Sequence, residues 1–123
     1  SDCIHLAPGD AHLTVQRRAE QVVIRLDRRP ADSGCMPSVD PMFASLAEVY
    51  GAKALGIVLT GMGRDGTEGA RTLVEAGGNV LVQNEASSAV WGMPGSIARA
   101  GLAAAILHPR DLALRVAASL GRG

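Results

Sequence analysis

Gly56-Ile57-Val58-Leu59-Thr60-Gly61-Met62-Gly63-Arg64-Asp65-Gly66-Thr67-Glu68-Gly69, the stretch GIVLTGMGRDGTEG, runs from an apolar segment into a glycine-rich loop and then into helical spacing. Ala54 to Leu59 has the length and composition of a strand buried in a parallel sheet. Gly61, Gly63 and Gly66 relieve the following turn of side-chain bulk. Its backbone N–H groups and the carboxylate of Asp65 are therefore free to be presented at the end of the sheet. A strand, a glycine turn and a helix in this order predict a site at the turn of a βα unit.

Downstream the alternation continues. Thr67 to Ala76 has helical spacing and stops at Gly77-Gly78, and Asn79 to Val82 is a second strand. After the turn NEASS, Pro94 starts a short helix ending near Gly101, Ala104 to Leu107 is a last strand and Pro109 to Leu120 a last helix. Upstream, His12 to Val15 and Gln21 to Leu26 flank a polar link at Arg17 to Glu20, which predicts a β-hairpin near the N-terminus. Ile4 to Ala7 is a further strand-like run, and Pro30 to Gly34 reads as loop. Pro37 to Asp40 reads as a helix start, with Asp40 as N-cap and Pro41 as first helical residue. Phe43, Leu46, Ala47 and Tyr50 form the apolar face of that helix, and Gly51 ends it. The fold class is α/β: a partial doubly wound, mostly parallel sheet flanked by helices, with a hairpin added.

Composition narrows the function classes. With 123 residues, 47% of them hydrophobic, the chain has material for a true core. Lys plus Arg and Asp plus Glu number 12 each, so nothing marks nucleic acid or an anionic membrane as a partner. The absence of a long apolar run or a signal-peptide pattern favours the cytoplasm and argues against membrane insertion. Cys3 and Cys35 make neither a disulfide framework nor a zinc motif and read as ordinary thiols. No metal and no cofactor are expected.

The loop admits more than one chemistry. Gly61, Gly63 and Gly66 fit G-x-G-x-x-G, and Glu85 follows the next strand where a dinucleotide-binding unit places its ribose-binding carboxylate. Against this, the loop lies mid-chain, and Asp65 would set a negative charge beside the pyrophosphate. Asp65 also reads as an N-cap for the helix beginning at Thr67. Ser87 and Ser88 sit in a turn rather than a nucleophile elbow. His5, His12 and His108 lack partner motifs and read as structural or surface residues, and Trp91 as core.

Four segments, taken together, carry a resemblance: HLAPGDAHL (His5 to Leu13), MPSVDPMFASLAE (Met36 to Glu48), GIVLTGMGRDGTEG (Gly56 to Gly69) and QNEASSAVWGMP (Gln83 to Pro94). In order and spacing they resemble the catalytic domain of the protein-glutamate methylesterases of bacterial chemotaxis, the CheB family. The resemblance implies a Ser-His-Asp hydrolase acting on methyl esters, and by extension on glutamines, of methyl-accepting chemotaxis receptors. Asp65 matches the aspartate, which in such a triad orients the histidine and stabilises its imidazolium. Gly61, Met62 and Gly63 would form the loop around the reacting carbonyl, with the Met62 backbone N–H as an oxyanion donor. Trp91 and Met93 would help wall the cleft for a receptor helix.

The family's serine and histidine precede the segments matched here. Because the chain opens at Ser1-Asp2-Cys3, residues 1–123 are expected to be a C-terminal portion of the catalytic domain, with the nucleophile, the base and the receiver domain upstream. The isolated chain is then expected to lack hydrolysis and to self-associate through an uncovered sheet edge. A noncatalytic scaffold or interaction domain is the remaining alternative.

Overall fold

The structure, a computed structural model, describes residues 3–120. Ser1 and Asp2, at the expected truncation, lie outside the described residues. β1 (His12–Arg18) and β2 (Gln21–Asp27) form the expected antiparallel hairpin, pairing His12 with Asp27 and Arg18 with Gln21. The turn between them has Ala19 at φ 56°. α1 (Val39–Tyr50) follows and packs on the hairpin; it ends at Gly51, whose φ of 54° suits glycine.

The second sheet has three parallel strands, β3 (Leu55–Val58), β4 (Asn79–Gln83) and β5 (Ala105–Leu107), in the order β3-β4-β5. α2 (Thr67–Glu75) joins β3 to β4, α3 (Gly92–Arg99) joins β4 to β5, and α4 (Pro109–Leu120) closes the described chain. Side chains alternate across the sheet. Val58, Val80 and Val82 point into a core with Phe43 and Ala47 of α1, Ala70 and Leu73 of α2 and Ile97 of α3. Ile57 meets α4 on the opposite face, so helices cover both sides as an α/β sheet requires. Burying a side chain such as Leu73, which is fully enclosed, contributes about 1.5–3 kcal/mol. Gly56 is glycine for a packing reason: a Cβ there would stand 2.8 Å from Cζ of Phe43.

Three expectations are corrected. Ile4 to Ala7 is not a strand; Ile4 and Leu6 are 94% and 89% exposed, and no described strand offers them a ladder. The N-cap of α1 is Ser38 rather than Asp40, which moves Pro41 to the third helical position. α3 likewise begins before Pro94, at Gly92. No described helix is long and apolar enough to cross a membrane.

Candidate active site

The loop from Thr60 to Gly66 is clamped on the side facing the β4–α3 connection. Gly61 donates its N–H to Val90 O and accepts from Met93 N, both at 2.9 Å, forming a parallel bridge with Trp91. The Thr60 hydroxyl donates to Val90 O at 2.8 Å and accepts from Val90 N at 2.9 Å. Gln83, buried at the end of β4, accepts from Thr60 N at 2.7 Å and donates to Ser87 O at 2.9 Å, tying the loop to the NEASS turn. Ser87 and Ser88 bond back to Asn84, as turn residues do. Gly92 lies directly on the loop backbone; a Cβ there would come within 2.8 Å of Gly63 N and 3.0 Å of Gly61 O. Gly63 and Gly66 adopt φ of 85° and 100°, angles that L side chains resist.

Asp65 is only 9% exposed and is held by three donors. Ser38 Oγ donates to Oδ1 at 2.8 Å, Val39 N to Oδ2 at 2.8 Å and Asp40 N to Oδ1 at 3.2 Å. Asp65 is therefore a helix-capping residue, but of α1 and not, as its sequence position suggests, of α2, whose N-cap is Gly66. Asp40 serves α2 instead, accepting from Gly66 N at 2.9 Å and Gly69 N at 2.8 Å. Burial pushes the Asp40 carboxyl above its ordinary value, and the charge of Asp65 adds to the shift. His12, 1% exposed, accepts from Ser38 N at 2.9 Å through Nδ1 and meets Arg29 O at 2.8 Å through Nε2, which fixes its tautomer. With both nitrogens committed, it is a structural histidine.

A cavity of about 650 Å³ opens beside Asp65, bordered by Met62, Gly63, Arg64, Thr67 and, from α3, Ser96 and Arg99. Among the described residues, the N–H groups of Met62, Gly63 and Arg64 donate to no protein acceptor. Trp91 and Met93 lie behind the loop rather than on the cavity wall. Met93 packs against the core with its sulfur near Gly61, and Trp91 donates from Nε1 to Gln83 O at 2.7 Å. Trp91 reaches the cavity through Arg99, whose guanidinium stands 5.8 Å from the indole centroid. His12, Ser38 and Gln83 lie within segments that carry the resemblance but are given no site role by it, and Arg99 lies outside those segments; their contacts with Asp65 and its loop across the fold reveal them.

The arrangement does not suit a pyrophosphate. At the start of α2, Gly66 N and Gly69 N are already taken by Asp40 and Thr67 N by Arg64 O, and Asp65 lies alongside. Glu85 is exposed on the turn after β4. Among the described residues no group of three or more His, Cys, Asp or Glu is placed to hold a metal, and both cysteines are free thiols.

The chain is 54% identical over 110 residues to the protein-glutamate methylesterase/protein-glutamine glutaminase of Maricaulis maris, covering 89% of this chain and 27% of that protein. It is 45% identical over 119 residues to protein-glutamate methylesterase/protein-glutamine glutaminase 1 of Rhodospirillum rubrum, covering 97% and 31%. The chain thus spans about a third of the length of the curated relatives it matches. The crystal structure of the Thermotoga maritima CheB methylesterase catalytic domain superposes with a TM-score of 0.79 at 36% identity, over 82% of this chain and 53% of that one. Residues 1–116 match the model of the CheB methylesterase family. The chain belongs to the CheB methylesterase family.

Proposed function

We propose that residues 1–123 are the aspartate-bearing portion of a protein-glutamate methylesterase, with Asp65 as the carboxylate of a Ser-His-Asp triad whose serine and histidine lie on other segments of the enzyme. The observation that carries the reading is the state of Asp65. It is buried, fixed by three donors, and borders the cavity, yet among the described residues Oδ2 accepts only one bond. A carboxylate oxygen takes about two. The open acceptor position suits an imidazole N–H.

In this scheme the serine oxygen attacks the ester carbonyl and the histidine takes its proton. Asp65 holds the other ring nitrogen and stabilises the imidazolium. Free N–H groups at Met62 and Gly63, with Gly61 anchoring the loop, face the developing oxyanion. The imidazolium then protonates the departing methoxide, releasing methanol, and water cleaves the acyl-enzyme to leave a glutamate. The substrates are methylated glutamates, and glutamines, of methyl-accepting chemotaxis receptors in the cytoplasm. Trp91 and Met93 support the cleft wall from behind, through the loop and Arg99.

The test is methanol release from methylated receptor by the full gene product and its Asp65→Asn and Asp65→Ala variants. Turnover should fall by about 10⁴-fold in the first. Unchanged turnover in a folded variant would remove Asp65 from the triad, and a wild-type gene product that releases no methanol would leave the scaffold reading in its place.

A further inference from the structure

The reading of Asp65 as a triad carboxylate leaves open what sets its orientation, and the answer lies at the start of α1. Ser38 occupies the N-cap, where a serine ordinarily accepts from the helix's first N–H groups. Here that bond is long, 3.3 Å from Asp40 N, and the same N–H is shared with Asp65 at 3.2 Å. Val39 N goes to Asp65 altogether. Asp65 has taken over the capping, and the short bond made by Ser38 is the one it donates, 2.8 Å to Asp65 Oδ1.

The direction of that proton is imposed from both sides. Ser33 Oγ lies 2.8 Å from Ser38 Oγ; with the Ser38 hydrogen committed to a carboxylate that has none to give, Ser33 must donate to Ser38. The backbone of Ser38 is held in turn by its N–H bond to Nδ1 of the enclosed His12. Ser38 is 4% exposed, so water does not compete for the hydroxyl. A donor so placed fixes one oxygen of the carboxylate and withdraws negative charge from it.

We propose that Ser38 is a positioning residue for hydrolysis, resting on the triad reading of Asp65: held by His12 and Ser33, it fixes the Asp65 carboxylate and moderates its pull on the catalytic imidazole. The charged groups around this cluster are Asp32 from the preceding loop, Asp40 of α1, Arg64 of the glycine loop, Glu68 of α2 and Arg99 of α3. None of them is altered by changing Ser38.

The experiment compares Ser38→Gly and Ser38→Thr in the full gene product. Glycine removes the hydroxyl yet caps a helix nearly as well as serine, which separates the donor from the cap. Ser38→Gly should lower kcat by about 10- to 100-fold, the value of a hydrogen bond to a charged group, with KM little changed. The acid limb of its rate profile should move to higher pH, because a carboxylate stripped of a donor stabilises the imidazolium more. Ser38→Thr, which keeps the hydroxyl, should recover both. A wild-type kcat and limb in Ser38→Gly, or a loss of kcat with the limb unmoved, overturns the proposal. If Ser38→Gly fails to fold, Ser33→Ala reads the same limb: a smaller shift in the same direction supports the proposal and none overturns it. Asp65→Asn run alongside separates the two readings. Its collapse beside a normal Ser38→Gly removes only the role of Ser38, whereas its full activity removes the triad role of Asp65.

Discussion

Asp40 and Asp65 cap each other's helices. Asp65 receives Val39 N and Asp40 N at the start of α1, while Asp40 receives Gly66 N and Gly69 N at the start of α2. Each carboxylate meets the positive end of the partner's helix. The glycine loop is thereby locked to a segment some 25 residues earlier in the chain, as the separation of Asp40 from Asp65 records. Close helix approach makes the exchange possible: Gly69 has no Cβ where one would lie 2.9 Å from Asp40 Cα. The site's shape is thus a property of the α1–α2 pair rather than of the loop alone.

A first consequence concerns stability at Asp65. Asp65→Asn keeps one oxygen but turns an amide N–H₂ toward one of the donors that now meet a carboxylate oxygen. A buried N–H is left unpaired, and the expected loss is about 1–3 kcal/mol. Thermal and urea unfolding of wild type and variant measure it. Equal stabilities would show that the three bonds to Asp65 are replaceable.

Asp40 makes the opposite prediction. Its carboxyl is raised above its ordinary value, chiefly by burial and further by the charge of Asp65, so the folded chain holds its proton more tightly than the unfolded chain. That contribution is complete below the ordinary carboxylate value and is lost as pH rises through the raised one. Asp40→Asn keeps an acceptor for Gly66 and Gly69 and has no charge to bury. Its melting temperature relative to wild type should therefore climb as pH increases from below 4 toward 7, roughly the range over which a carboxyl of raised value ionises. A difference that stays flat or falls across this range would mean that charge on Asp40 helps the fold.

Gly92 tests whether loop geometry governs chemistry. The three nearest neighbours of a Cβ at this position are loop backbone: Gly63 N at 2.8 Å, Gly61 O at 3.0 Å and Gly63 O at 3.1 Å. Gly92→Ala must push the loop outward, at a cost of about 1–3 kcal/mol for overpacking. If Met62 and Gly63 supply oxyanion donors, turnover in the full gene product should drop by about 10²-fold or more, since small misplacements at a reacting centre carry losses of that size. A variant that is destabilised yet turns over normally at low temperature would separate the loop from the reaction.

Sequence was most legible where local rules and tertiary structure agree. Leu55 to Val58, the positive-φ glycines and the helix from Thr67 follow from apolar run, glycine spacing and helical period. It misled where a side chain serves a distant element. Asp40 precedes a proline and resembles an N-cap, but its oxygen is used by α2; Asp65 precedes a helix and resembles its cap, but its oxygens are used by α1. Local spacing carries no record of such an exchange. His12 reads as structural or surface, and the structure makes it structural; only its partners, Ser38 N and Arg29 O, supplied from 26 and 17 residues away, leave no local trace. Ile4 to Ala7 has a strand's composition but no described partner strand, and composition alone forms no ladder.

The last prediction concerns the outer edge of the parallel sheet. Among the described residues β3 pairs only with β4, so one row of its backbone groups has no ladder. Beside that edge, Ile57 and Leu59 form an apolar groove with Leu112 and Val116 of α4, and Leu59 is 52% exposed. An unpaired edge flanked by apolar side chains is a template for association. The 123-residue chain on its own should therefore form dimers or larger species as its concentration rises. Leu59→Lys places a charge in the groove at a position already half in solvent, so it should disperse the assembly at little cost to folding. Sedimentation of both proteins across a concentration series, with circular dichroism to confirm that each is folded, makes the comparison. A wild-type chain that stays monomeric throughout would show that the edge is protected by its own twist and by α4; association that Leu59→Lys leaves intact would place the contact on another surface.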